Sequence, residues 1–389
     1  MFKKNLIMVA TSLLLTCGAH ATQLTVEELR LEKASVVMPK VMNVFTHNIN
    51  AFKQHWSAAK NYQAAKDIVL KHSQQLWLDA TKQLQSSSVL DDRPLYWTRL
   101  SITKIIRATK PNFSLSTQQL ATLIELFEQG SRGRTDLEYT QVTDKKILLT
   151  GFDPFLLDRN INQSNPSGIA ALLLDRKIIT FNGITAEINT AMVPVRYEDF
   201  DQGTIESLLA PYYALNNVDM VVTVSMGRKE FDLERFPGKR RSVTAPDNLN
   251  ILSGGNKDLP VISKLYNRAL PGEEFVEFSL PVAQMQKAKG KYQIIDNHKV
   301  TSIAPAQKAK AIEPHSLSQL DGHIAVSGSG GGYLSNEISY RSIRLRDQLN
   351  SNIPTGHIHT PRIQQFEPEI EKEIVKQIKA MLEQALVAI

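Results

Sequence analysis

The hydrophobic pattern of this chain changes period near residue 144, and that change limits the fold more than any single motif. Before it, apolar residues recur at helical spacing. Ser116 and Gln119 form a capping box, Leu120, Leu123, Ile124 and Phe127 follow on one face, and Gly130 offers a stop. The stretch 64–85 is one-sided in the same way, with Ile68, Val69, Leu76, Trp77 and Leu84, and 93–109 is similar. After residue 144 the texture alternates. Short unbroken apolar runs at 146–150 and 219–225 read as buried strands, 167–174 opens a helix, and 184–195 alternates up to a proline. A strand at 322–326 then precedes a helix at 336–347. The last helix, 368–389, carries Ile370, Ile374, Ile378, Leu382 and Leu386 on one face. Strands and helices in alternation predict a three-layer α/β/α domain over 144–389 with a mostly parallel central sheet. An all-helical region over 22–143 precedes it, joined by the polar, glycine-containing stretch 128–146. In such sheets sites gather at the C-terminal ends of the strands.

The first residues, MFKKNLIMVATSLLLTCGAHATQ, follow a different logic. Two lysines, an apolar run over 6–15 and Ala19-His20-Ala21 predict a signal peptide, 1–21, cut after Ala21, and so an exported, periplasmic or secreted protein. Leu14-Leu15-Thr16-Cys17 resembles a lipoprotein signal, but Thr16 replaces the small residue expected before the cysteine, so cleavage after Ala21 is preferred. Cys17 is the sole cysteine, and its loss would exclude disulfides, thiolate metal sites and cysteine catalysis together. No apolar run is long enough for a membrane span. The net charge is +6, with Lys3 and Lys4 in the signal segment. Basic residues are scattered apart from 228–229 and 239–241, which argues against a nucleic-acid partner.

The segment 323–340, HIAVSGSGGGYLSNEISY, places a glycine cluster between a strand and a helix, with Ser335 at the helix start. A glycine-rich turn there lets backbone N–H groups face a developing oxyanion, with the helix dipole adding positive potential. Acyl transfer further requires an imidazole to take the nucleophile's proton and a carboxylate to fix its tautomer. Other readings of the same residues are weaker. A dinucleotide loop at 328–332 would come late in the chain with no ribose-binding acid in view. Ser327 breaks the G-x-S-x-G elbow at Ser329. His357 and His359 lack a third metal ligand, so no cofactor is expected.

The segment K-I-L-L-T-G-F-D-P-F at 146–155 resembles the opening strand and loop of pyroglutamyl peptidase I, the pyrrolidone-carboxylate peptidases. The resemblance continues through 165–167 (NPS), 192–197 (MVPVRY), Gly227-Arg228 with Phe231, Glu234 and Arg235, and 246–248 (PDN). It ends with the nucleophile motif at 327–336 and the histidine motif at 356–361 (GHIHTP), and it covers about 146–389 only. It implies a peptidase of that type acting on peptides with an N-terminal pyroglutamyl residue. Glu234 would orient the base His359, and residue 335 would be the nucleophile. Phe152 and Phe155 would flank the lactam ring, and Asn165 would fix the loop that holds them.

Several positions depart from the family. Ser335 stands where the family has its catalytic cysteine, and Gly330 replaces an alanine. A hydroxyl does not ionise near neutrality as a thiol does, so it must lose its proton to an aligned base during attack. Leu156-Leu157 replace two glycines, and Val224-Ser225-Met226 replace a glycine-rich stretch. Thr244 takes the place of an arginine, for which the nearby Arg240 and Arg241 are the candidate substitutes. Three readings follow: a serine hydrolase, a pseudoenzyme that keeps the ring pocket as a binding site, or a scaffold whose protein partner is met by the helices of 22–143.

Overall fold

A computed structural model describes residues 23–389. The signal peptide expected over 1–21, and Cys17 with it, lie outside the described residues. The described residues divide into two compact units, one formed by 23–79 with 94–135 and the other by 80–93 with 136–389. The division falls at 135/136, and the stretch 80–93 groups with the second unit although it follows the helical pattern of the first. Its partners explain this: Gln85 Nε2 donates to the carbonyls of Leu172 and Asp175 at 3.3 and 2.9 Å.

In the first unit the helices Thr46–Ala58, Arg93–Ala108 and Thr117–Gly130 join most of Tyr62–Ser86. Phe52 stacks on Trp56 and meets Phe127 edge-on, all three rings buried. The capping box is formed: Ser116 Oγ accepts from Gln119 N, and the Gln119 side chain accepts from Ser116 N. Among the described residues, no helix is long and apolar enough to cross a membrane.

The second unit is built on a seven-stranded sheet. Its order is Ile294–Asn297, Phe231–Glu234, Thr355–Thr360, Met220–Met226, Lys145–Phe152, Ile184–Val193, Lys177–Phe181. Pairing is parallel except at Thr355–Thr360 with Phe231–Glu234 and at Ile184–Val193 with Lys177–Phe181. The mostly parallel α/β architecture expected from the sequence is therefore present. The inner strands are buried on both faces, which is why they read as unbroken apolar runs rather than alternating ones. On one face Leu148, Ala191 and Val221 share a core with the helices Thr204–Leu215 and Leu334–Gln348. Alternation along the strand turns Ile147 and Leu149 to the other face, where Pro166–Leu174 packs against Pro368–Ala385. Gly151 permits the approach of Pro166–Leu174, since a Cβ there would sit 2.1 Å from the Ser167 carbonyl oxygen.

The strand Ile184–Val193 is buried over its length after Thr185, not half-exposed as its alternation suggests, because it lies inside the sheet. The region 249–320, longer than the resemblance implies, supplies the edge strand Ile294–Asn297 and two strands, Val300–Ile303 and Lys310–Ile312, of a second small sheet.

Candidate active site

The parallel strands Lys145–Phe152, Met220–Met226 and Thr355–Thr360 end on one edge of the sheet, and a pocket of about 370 Å³ opens there. Phe152, Phe155, Asn165, Ser335 and His359 all line it; Glu234 does not. Glu234 lies behind the imidazole, wholly buried on the antiparallel neighbour of the His359 strand. Its Oε1 is 2.5 Å from His359 Nδ1. That contact leaves His359 Nε2 as the nitrogen free to serve the pocket. Burial pushes the Glu234 carboxyl above its ordinary value, with His359 pulling the other way. Gly227 is required beside this pair, because a Cβ there would lie 2.6 Å from His359 Cβ.

Ser335 is the second residue of the helix Leu334–Gln348, whose cap residue is Tyr333. N–H groups of a helix's first turn have no acceptor within the helix, so those near Ser335 and Asn336 are available to an anion. The Asn336 side chain ties the helix start down, donating to the Gly238 carbonyl at 2.6 Å and accepting from Gly238 N at 3.0 Å. Ser335 Oγ donates to the Gly330 carbonyl at 3.4 Å. A Cβ on Gly330 would lie 3.5 Å from His359 Cε1, so the hydroxyl's present partner and the imidazole are immediate neighbours.

The aromatic wall has two parts. Phe152 stacks on Phe200 at 6.2 Å and is nearly buried, whereas Phe155 packs at a tilt on Tyr333, whose hydroxyl donates to the Pro246 carbonyl at 2.8 Å. Asn165 caps the helix Pro166–Leu174: its Oδ1 accepts from Ser167 N at 3.1 Å and its Nδ2 donates to the Asp153 carbonyl at 3.0 Å. The loop carrying both phenylalanines is thereby tied at Asp153 to the start of that helix.

Two supporting residues were not visible in the sequence. Asn297, from the edge strand, donates from Nδ2 to Glu234 Oε2 at 2.8 Å and to the Ser329 carbonyl at 3.0 Å. It links the carboxylate to the glycine turn that carries the nucleophile motif. Replacing it with alanine leaves two buried acceptors unpaired, and we expect Asn297→Ala to lose about 1–3 kcal/mol of stability in urea titration. Asp92 is the other. It is fully buried, and its carboxyl accepts the Asn165 N–H at 3.2–3.3 Å beneath the pocket loop. Burial, Asp91 and Glu371 hold its carboxyl well above the ordinary value.

Glu371 extends this buried acidic layer. One oxygen accepts from Ser164 Oγ, while Oε2 has no hydrogen-bond partner, and burial raises the carboxyl from 4.5 to about 7. A raised folded-state value means that the associated stability is complete below pH 4.5 and lost as pH rises through about 7. Glu371 should therefore contribute a decline of about 3 kcal/mol to unfolding titrations across that window, read as the difference between the wild type and Glu371→Gln.

The remaining expectations fall differently. His357 is buried between Thr223 Oγ1 and Ser225 Oγ, each 2.8 Å from a ring nitrogen, and burial holds it well below its ordinary value. No cluster of three metal-ligating side chains occurs among the described residues. Neither Arg240 nor Arg241 substitutes for the arginine missing at Thr244. Arg240 pairs with Glu274, and Arg241 is buried between Glu337 and Asp201; neither lines the pocket. The arginines that do line it are Arg228 and Arg362.

Comparison with known proteins places both halves. Residues 146–277 and 286–364 match the family described as PA0049, C-terminal domain, and residues 9–128 match the PA0049 N-terminal domain. An uncharacterized protein, PA0049 of Pseudomonas aeruginosa, is 28% identical over 77% of this chain and 70% of its own length. Pyrrolidone carboxyl peptidase from Pyrococcus furiosus is similar at 21% identity and a TM-score of 0.41, over 62% of this chain and 98% of that one. A variant of the same enzyme gives 20% identity and a TM-score of 0.41.

Proposed function

The chain belongs to the family described as PA0049, C-terminal domain, and we propose that it is an exported hydrolase that removes pyroglutamate from peptide N-termini. Ser335 is the nucleophile, His359 the base, and Glu234 the carboxylate that holds the imidazole. The observation that carries this reading is the pairing of Glu234 with His359 Nδ1 beside a pocket that His359 and Ser335 line with Phe152 and Phe155.

In the proposed reaction Ser335 Oγ attacks the pyroglutamyl carbonyl carbon and passes its proton to His359 Nε2. The first-turn N–H groups of Leu334–Gln348 receive the oxyanion, and each such donor is worth about 3 kcal/mol in the transition state. His359 then protonates the leaving amine, and a water activated by the same nitrogen hydrolyses the acyl-serine. Glu234 Oε1 holds the imidazole throughout.

The wall of the pocket supports the substrate class. Its lining contains no aspartate or glutamate. A peptidase that reads a free N-terminus needs an anion for the ammonium group, whereas a lactam is neutral, flat and buries well between aromatic faces. Asn165 and the loop carbonyls supply polar partners for its edge. Export completes the proposal, on the signal features of residues 1–21.

One observation favours a second reading, a ligand-binding pseudoenzyme: Ser335 Oγ is bonded to the Gly330 carbonyl rather than to the imidazole. Purified protein assayed on fluorogenic pyroglutamyl, prolyl and glutamyl amides separates the two. We expect turnover of the pyroglutamyl amide alone. Tight binding of that amide without turnover would favour the pseudoenzyme, and neither binding nor turnover would overturn both.

A further inference from the structure

The pocket's charge is one-sided, and its sidedness is built by the sheet. The parallel strands Met220–Met226 and Thr355–Thr360 pair in register up to Met226 opposite Thr360. Their backbones remain bonded beyond the sheet: Gly227 N donates to the Thr360 carbonyl at 2.9 Å, and Arg362 N to the Arg228 carbonyl at 2.7 Å. Ile363 N adds a contact to Met226 Sδ. Two guanidinium groups are thus delivered to one part of the rim by a continuous ladder, beside the Gly227 that packs on the His359 ring.

The two arginines differ in how they are occupied. Arg228 is bonded to Asp232 Oδ2 at 3.1 and 3.3 Å with its side chain largely exposed. Arg362 is exposed, and its guanidinium has no acidic partner among the described residues. Phe152, Phe155 and Val195 make part of the lining apolar, and no carboxylate lines the pocket to compete for either cation.

We infer that Arg362, aided by Arg228, binds a carboxylate on the leaving side of the scissile bond, so that the preferred substrates are pyroglutamyl peptides whose next residue carries a negative charge. This inference rests on the proposed pyroglutamyl specificity and names the other half of the substrate. A pyroglutamyl peptide has lost its N-terminal positive charge, so a carboxylate near the cleavage point is the group that a cationic rim can select. A guanidinium presents paired N–H donors that match a carboxylate edge to edge, which gives direction as well as attraction. The carboxylate is either the terminal one of a dipeptide or the side chain of an acidic residue; both present the same group to Arg362.

The test uses the full chain carrying Ser335→Ala, so that ligands stay intact, and isothermal titration calorimetry with three compounds. Pyroglutamyl-alanine offers a terminal carboxylate, pyroglutamyl-glutamate α-amide offers only a side-chain carboxylate, and pyroglutamyl-alanine amide is neutral. At least one carboxylate ligand should bind about tenfold more tightly than the neutral one, and added salt should narrow the gap. The tighter of the two identifies the source of the carboxylate. Adding Arg362→Ala should abolish the preference while leaving the neutral ligand's affinity unchanged. Equal binding of all three compounds would overturn the inference and leave the pyroglutamyl reading standing. An equal loss for the neutral ligand in Arg362→Ala would also overturn it, and would assign Arg362 to the acyl side. If none of the three binds, the inference falls together with the reading beneath it.

Discussion

His359→Ala should lower turnover of a pyroglutamyl amide by about a thousandfold or more, because it removes both the proton acceptor for Ser335 and the donor to the leaving amine. The loss should fall on kcat, with ligand affinity little changed, since the aromatic loop is held by Asn165, Asp153 and Asp92 and not by the imidazole. Glu234→Gln should cost about a hundredfold or more, as an amide can hold the ring in the wrong tautomer. The two effects should not add. In the proposed mechanism Glu234 reaches the reacting atoms through His359, so the double variant should resemble His359→Ala alone, and a double-mutant cycle on kcat would show it. A carboxylate that contributed only to folding would give the opposite pattern, with lost stability and an intact rate per folded molecule.

The second large effect lies at Ser335. Removing the hydroxyl in Ser335→Ala should abolish turnover to within about a thousandfold of the uncatalysed rate, the residue of binding and oxyanion contacts. Ser335→Cys is the more informative change. A thiol at this helix start, beside an imidazole, is placed to ionise where a hydroxyl is not. The variant should therefore turn over the amide and become sensitive to iodoacetamide, to which the wild type, whose sole cysteine is Cys17, is indifferent at this site. Activity confined to Ser335→Cys would mean that the pocket is intact and the natural side chain is disabled. That outcome would transfer the protein to the pseudoenzyme reading.

Much of the second unit is legible in the sequence because its inner strands are buried on both faces. Runs such as 146–150 and 219–225 have to be apolar throughout, and that marks them. The end of the same sheet beyond the His359 strand is not marked. Phe231–Glu234 and Ile294–Asn297 have four residues each, include acids and an asparagine, and carry no period that could be distinguished from a turn. Their place is set by pairing with each other and with the His359 strand. Asn297 was invisible for that reason: its partner Glu234 lies 63 residues earlier, and no local pattern connects them. Asp92 was hidden differently. It sits in a stretch that follows the helical pattern of the first unit, yet its carboxyl ends beneath the Asn165 loop of the second. Motif spacing can name Ser335, His359 and Glu234 as candidates because each sits in a distinctive local sequence. It cannot say what stands behind them, since buried supports are chosen by three-dimensional proximity and by the need to satisfy each polar group.

The departures at Gly330, Leu156 and Leu157 also acquire physical content. A Cβ at 330 would lie 3.2 Å from Asn336 Cα and 3.5 Å from His359 Cε1, so glycine there spares the turn a close contact with the helix start. Leu157 is buried, whereas Leu156 lines the pocket at a positive φ of 60°. The added bulk is thus divided between core and pocket wall.

Whether Ser335 Oγ forms a bond to the acyl carbon is open to direct observation. The peptide aldehyde derived from pyroglutamate can be soaked into crystals of the wild-type protein and of Ser335→Ala. Continuous density from Ser335 Oγ to a tetrahedral carbon, with the new oxygen facing the first-turn N–H groups and His359 Nε2 within hydrogen-bond reach, is the result predicted here. The aldehyde or its hydrate lying unattached in the wild-type pocket, in the same pose as in Ser335→Ala, would contradict it.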